Sequence, residues 1–297
     1  MTQDIRFLDP KVLASISNLE LRARTAVEGF LTGLHKSPYH GFSVEFTEYR
    51  HYHPGDDIRH VDWKVFARSG RYYLKQYEDE TNVRCHIMLD CSASMGYGSE
   101  AMTKLEYGRT LASALAYFMM GQRDAVGLIT FDDKMRDYLP ARYRQGHLMQ
   151  ILRVLANLTL GVGTNLARPI SDLAFSLRRK GMTIVISDLL DDEAAIVKGL
   201  QALRFKGNDV IVFHTLDQAE LTFPFERMSE FEDAENHQTL VVAPQAIRQD
   251  YLRELERFCS FYRQQCRVSG IDYCLLNTAK PLDIALSTYL SKRAKSY

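Results

Sequence analysis

The stretch Ile87-Met88-Leu89-Asp90-Cys91-Ser92-Ala93-Ser94-Met95-Gly96 decides the fold. With Cys85 and His86 before it, its first half is a short apolar run, the pattern of a strand buried on both faces. Such strands belong to parallel sheets covered by helices. The run stops at Asp90 and continues as Asp-x-Ser-x-Ser. In open α/β sheets ligands bind beyond the carboxyl ends of the strands, so Asp90, Ser92 and Ser94 stand where a site is expected.

Downstream, the chain alternates. Helical spacing over 103–120 is followed by strands at 124–131 and about 135–139, and helices at about 145–158 and 167–179, the latter stopping at Lys180-Gly181. A strand at 183–187, a helix at 193–205 and a strand at 209–214 come next. Strands alternating with helices imply a mostly parallel sheet with helices on both faces. Residues 221–243 interrupt the pattern with Thr222-Phe223-Pro224-Phe225, an acidic middle and Thr239-Leu240-Val241-Val242, which reads as a β-hairpin insert. A long helix over about 244–268, a strand at 272–276 and a helix at 282–293 complete an α/β domain over 83–297.

Upstream, residues 11–34 carry apolar side chains at three- and four-residue intervals, the spacing of an amphipathic helix. Phe42, Val44 and Phe46 then alternate with polar residues as in a strand, His53-Pro54-Gly55-Asp56 is a turn signal, and 72–77 is extended. Residues 1–82 are therefore expected to form an N-terminal α+β extension.

Composition narrows the function classes. Lys plus Arg and Asp plus Glu both number 37, with no long run of one sign, so the footprint of a dedicated nucleic-acid binder is missing. The N-terminus lacks the apolar block of a secretory signal. The longest uncharged apolar stretch, 111–121, falls short of the roughly 20 residues that span a bilayer. Five cysteines, an odd set without a CxxC pair, suit a reduced compartment. The expectation is a cytoplasmic protein with no membrane span.

Two further oxygen-bearing positions fall at comparable places. Thr164 lies in Gly161-Val162-Gly163-Thr164-Asn165 before a helix, and Asp188 follows the strand Ile184-Val185-Ile186-Ser187. Carboxylate and hydroxyl oxygens are hard ligands that favour Mg²⁺, Mn²⁺ or Ca²⁺, with Mg²⁺ the first choice. With only two charged ligands, such an ion keeps an exchangeable position that can accept an Asp or Glu from another protein.

LDCSASMG, GVGTNL and ISDLLDD resemble the three parts of the metal ion-dependent adhesion site of von Willebrand factor A domains. Over nearly the whole chain, the segment EYRHYHPGDDIRHVDWKVFARSGRYYLKQYEDE resembles the hallmark of the domain of unknown function 58 family, through Pro54-Gly55-Asp56, Arg59, Asp62-Trp63, Ala67-Arg68 and Glu78. The resemblance implies a Rossmann-like A domain with a metal at the top of the sheet, ligated by Asp90, Ser92, Ser94, Thr164 and Asp188. It also implies a bacterial or archaeal, non-catalytic interaction protein paired with a MoxR-type AAA+ ATPase in chaperone-like complex maturation.

Rival readings are weaker. His51, His53, Asp56, Asp57, His60 and Asp62 crowd together, but beside a Pro-Gly turn such residues usually serve turn hydrogen bonds or ion pairs. Ser92 and Ser94 lack a G-x-S-x-G elbow and an evident base. No G-x-x-x-x-G-K-[ST] motif occurs. The remaining alternative is a Mg²⁺-dependent phosphoester hydrolase using Asp90 as ligand or nucleophile.

Overall fold

The computed structural model of the chain describes residues 10–35, 49–51, 66–68, 70, 72–75, 83–161, 163, 166–177, 180–234 and 238–295. The chain divides into two compact units, residues 1–34 with 83–297, and residues 35–82. This differs from a boundary at 82, because the first helices belong with the α/β domain. Helix α1 (Pro10–Ala14) and helix α2 (Leu19–His35) are two elements rather than one. The break falls where Asn18 Oδ1 accepts from the backbone N–H groups of Glu20 and Leu21 and so starts a new helix. Leu13, Ala26, Val27 and Phe30 are buried in the domain core. Arg22 donates to Ile16 O through Nη2 at 2.7 Å and to Thr110 Oγ1 through Nη1 at 3.3 Å.

In the unit of residues 35–82, β1 (Tyr49–His51) pairs antiparallel with β2 (Tyr73–Lys75), His51 opposite Tyr73. The strand expected at 42–47 and most of the Pro54–Glu78 hallmark lie outside the described residues.

The main domain continues with β3 (Arg84–Asp90), a 3₁₀ turn (Ala93–Gly96), α3 (Lys104–Gly121), β4 (Ala125–Phe131), β5 (Met135–Arg142), α4 (His147–Asn157) and α5 (Ala167–Ser176). Then follow β6 (Met182–Ser187), α6 (Glu193–Phe205), β7 (Asp209–Leu216), a short α7 (Gln218–Thr222), the hairpin β8 (Ser229–Glu232) and β9 (Thr239–Val242), α8 (Pro244–Val268), β10 (Asp272–Asn277) and α9 (Asp283–Lys295). The six-stranded sheet runs β10-β7-β6-β3-β4-β5, parallel except for the β4–β5 edge pair. This is the mostly parallel α/β sheet expected from the alternation of strands and helices.

Alternation along the strands divides the core. Cys85, Ile87 and Leu89 face a layer that includes α3 and α9, while Met88 faces a layer built from α5, α6 and α8. Because β3 is covered on both sides, its sequence shows a nearly continuous apolar run rather than alternation. Helix α3 starts with a capping box, in which Thr103 Oγ1 accepts from Glu106 N and Glu106 Oε2 accepts from Thr103 N, both at 3.1 Å. It crosses the sheet at Gly108, where an added Cβ would stand 2.8 Å from Leu89 Cδ1.

Two local expectations are corrected. Helix α5 ends at Ser176 and not at the Lys180-Gly181 stop. Gly181 instead enters β6 beside β3, where a Cβ would lie 2.3 Å from Arg84 O, so its small size serves strand packing. The 221–243 insert begins with the last turn of α7, and only 229–242 is a hairpin. The capping box of Asp217 and Glu220 starts that helical turn.

Candidate metal centre

Strand order places the crevice. The chain leaves β3 toward β4 on one side and returns to β6 on the other, so the carboxyl ends of β3 and β6 flank a topological switch point. Register then brings their polar ends level. Leu89 pairs with Ile186, and one residue further Ser187 Oγ donates to Asp90 Oδ2 at 2.6 Å. The other carboxylate oxygen, Asp90 Oδ1, accepts from Ser92 N at 2.8 Å, and Ser92 Oγ lies 3.1 Å from Ser94 Oγ. Asp90, Ser92 and Asp188 have no exposed surface, and Ser94 is buried.

Asp188 follows Ser187 and is turned into the crevice by an unusual backbone. Leu189 adopts φ 57°, a left-handed conformation that costs a leucine about 1–2 kcal/mol. Three contacts hold it there: its buried side chain, its N–H on Ser187 Oγ at 2.9 Å, and its carbonyl accepting from Tyr262 OH at 3.2 Å. Asp188 Oδ2 accepts from Lys104 Nζ at 2.7 Å, and the same ammonium reaches Glu220 Oε1 at 2.7 Å. Lys104 is itself fully buried at the first turn of α3. Glu220 Oε2 in turn accepts from Asp217 N at 2.7 Å. Asp217 takes hydrogen bonds from Ser99 Oγ and from Thr278 Oγ1.

Electrostatics set the demand of this cluster. Burial first, and the neighbouring Asp188 second, push the Asp90 carboxyl up to about 7. Burial likewise raises Glu220, opposed by Lys104. Lys104 is raised despite its burial, through attraction to Asp188 and Glu220. Asp90, Asp188 and Glu220 are three carboxylates against one ammonium, so the ionised cluster carries two uncompensated negative charges. Oxygen donors with a charge deficit of two fit a hard divalent cation. Among the described residues no group of three or more His, Cys, Asp or Glu has metal-binding geometry, so any such ion would depend on the serine hydroxyls.

The sequence-selected residues Asp90, Ser92, Ser94 and Asp188 thus come together. Thr164 lies outside the described residues. Of the described residues near it in sequence, Gly161 N donates to Cys91 O at 2.6 Å and Leu166 N donates to Asp191 Oδ2 at 2.7 Å. Of the second crowded group only the His51 backbone is described; His53, Asp56, Asp57, His60 and Asp62 lie outside the described residues. Sequence reasoning missed Ser187, Lys104 and Glu220. Ser187 had a signal, a hydroxyl at a strand end beside Asp188. Glu220 was legible only as a helix cap, and nothing in the sequence marks Lys104 as buried.

The cysteines are thiols, with Cys85, Cys91, Cys259 and Cys266 buried, and burial pushes Cys91 up to about 12. They behave as small core side chains, as expected.

Comparison with known proteins follows the same lines. Residues 48–258 match the model of the family described as "Protein of unknown function DUF58". An uncharacterized protein of Mycobacterium tuberculosis is 29% identical over 250 residues, covering 82% of this chain and 78% of that protein. Among solved structures, the conserved hypothetical protein BatB from Bacteroides thetaiotaomicron aligns with a TM-score of 0.52 at 21% identity, over 72% of this chain and 99% of that one. An aerotolerance-related membrane protein from Bacteroides fragilis aligns with a TM-score of 0.48 at 20% identity, over 71% and 99%. That solved structure is named as a membrane protein, and the cytoplasmic location expected from the thiols and the N-terminus is withdrawn. Buried thiols report packing rather than compartment, so they gave no valid basis for that expectation. Among the described residues no helix is long and apolar enough to cross a membrane. With the family model matching residues 48–258, well over half of its length, the chain belongs to the DUF58 family.

Proposed function

We propose that this protein is a non-catalytic interaction module that binds an acidic side chain of a partner protein through a divalent metal, Mg²⁺ first, held by Asp90, Ser92, Ser94, Thr164 and Asp188. The observation that carries this reading is the convergence of Asp90 and Asp188 at the switch point, linked through Ser187 and short of two positive charges. When bound, the metal supplies an electrophilic position for an incoming carboxylate. The chain's own residues hold that position: Ser187 and Ser92 N fix the Asp90 carboxylate, and Tyr262 fixes the Asp188 turn through Leu189.

A MoxR-type AAA+ ATPase is the partner proposed from the family resemblance, with chaperone-like complex maturation as the process. The hydrolase alternative is the poorer fit. Asp90 is fully buried with both carboxylate oxygens accepting hydrogen bonds, which suits an oriented ligand better than an attacking nucleophile.

The test is a calorimetric titration with Mg²⁺ and Mn²⁺, followed by capture of a purified MoxR-type ATPase with and without EDTA. Wild type is expected to bind metal and to capture the ATPase only when metal is present, and Asp90→Ala to do neither. Metal-dependent turnover of a phosphoester by wild type, lost in Asp90→Ala, would favour the hydrolase instead.

A further inference from the structure

The ion pair of Lys104 is not explained by the needs of the fold. A buried lysine is rare, and its burial is costly unless paired. Its position is one residue after the α3 N-cap, at the positive end of the helix, where a cation is disfavoured. What holds it there is the pair of carboxylates, Asp188 on the proposed metal site and Glu220 on α7, each at 2.7 Å. Asp188 therefore already has a cation on one oxygen.

Resting on the metal reading above, we propose that Lys104 is a tethered competitor cation, which shares Asp188 with the metal, weakens its binding and keeps the site assembled when it is empty. The physical basis is direct. Charges inside a protein interact through a low effective dielectric, so a fixed ammonium beside a ligand carboxylate disfavours a divalent ion there. Without metal the same ammonium offsets part of the repulsion between Asp90, Asp188 and Glu220. Glu220 is the second berth: when metal claims Asp188, Lys104 retains Glu220 on α7. No change in the protonation of Lys104 is involved.

The test is metal affinity by calorimetry with Mn²⁺, on wild type, Lys104→Met and the double variant Lys104→Met/Glu220→Gln. The double variant removes one charge of each sign, so net charge is constant and only the competition for Asp188 is lost. Both variants are expected to bind roughly tenfold tighter or more than wild type. Unchanged or weaker binding in both, with wild type still binding, overturns the competitor role and leaves the metal site standing. No heat from any of the three proteins overturns the metal reading and this inference together. Binding by the variants alone supports the competitor role and shows that lysine, not metal, fills the wild-type site. As a measurement free of folding defects, the Lys104 ammonium signal of ¹⁵N-labelled wild type is expected to move on titration with Mg²⁺. A signal that stays put while Mg²⁺ binds overturns the proposal.

Discussion

Asp90, buried beside Asp188, works against the stability of the fold when it is ionised. Its folded value, about 7, exceeds its ordinary 3.8, so between these limits the folded state binds more protons than the unfolded one. Stability therefore falls as pH rises through that window, and the full cost of ionised Asp90 is present above about pH 7. Asp90→Asn should raise stability in EDTA at pH 8 by on the order of 4 kcal/mol, with the gain vanishing near pH 4, as read from urea midpoints across pH. His86 and His214 act with the opposite sign. Burial lowers both to about 4, so the unfolded state binds more protons between about 4 and 6.5 and stability is lost as pH falls through that range. With Asp90 gone, that acid loss should steepen. The four proposed ligands Asp90, Ser92, Ser94 and Asp188 were legible because each ends or follows an apolar strand. Lys104 was not, because local sequence carries no record of a carboxylate that arrives 84 residues later.

At the scale of elements, close approach decides what each loop and helix tolerates. Gly108 lets α3 lie against Leu89 and Ile186. Gly108→Ala should cost about 1–3 kcal/mol by overpacking, measured as a shift of the denaturation midpoint with an unchanged slope. Gly161 faces the turn after β4, where an added Cβ would meet Asp132 Oδ2 at 2.2 Å. Gly161→Ala should displace the loop hydrogen-bonded to Cys91, lower the thermal midpoint and weaken the proposed metal binding several-fold. Strands and helices of the domain were readable from period and caps, since burial on both sheet faces imposes both. The misplaced α5 end reflects a glycine that reads as a helix stop and serves strand packing. The break between α1 and α2 was hidden because apolar spacing runs on across residues 15–18, while Asn18 supplies a cap that interrupts it.

Across the whole molecule, the domain includes more of the chain than its sheet pattern announced. Phe30 on α2 is part of the core that also contains Leu111 and Leu115 of α3. Phe30→Ala should destabilise the entire α/β unit by about 3–5 kcal/mol, seen as one cooperative transition at lower urea rather than a separate early step. The extension boundary was misread because amphipathic spacing reveals that a helix has a buried face without naming what covers it. The cluster at the switch point gathers groups from residues 90 to 220, and its links join positions 84, 97 and 116 apart in sequence. Such a site is a signature of completed topology: a nascent chain that has made only the β3–β5 half has Asp90, Ser92, Ser94 and Lys104 but none of their links to Ser187, Asp188 and Glu220. An ion at the proposed site would contact groups that meet only in the native state. Added magnesium should therefore slow unfolding in stopped-flow experiments and leave the refolding rate nearly untouched.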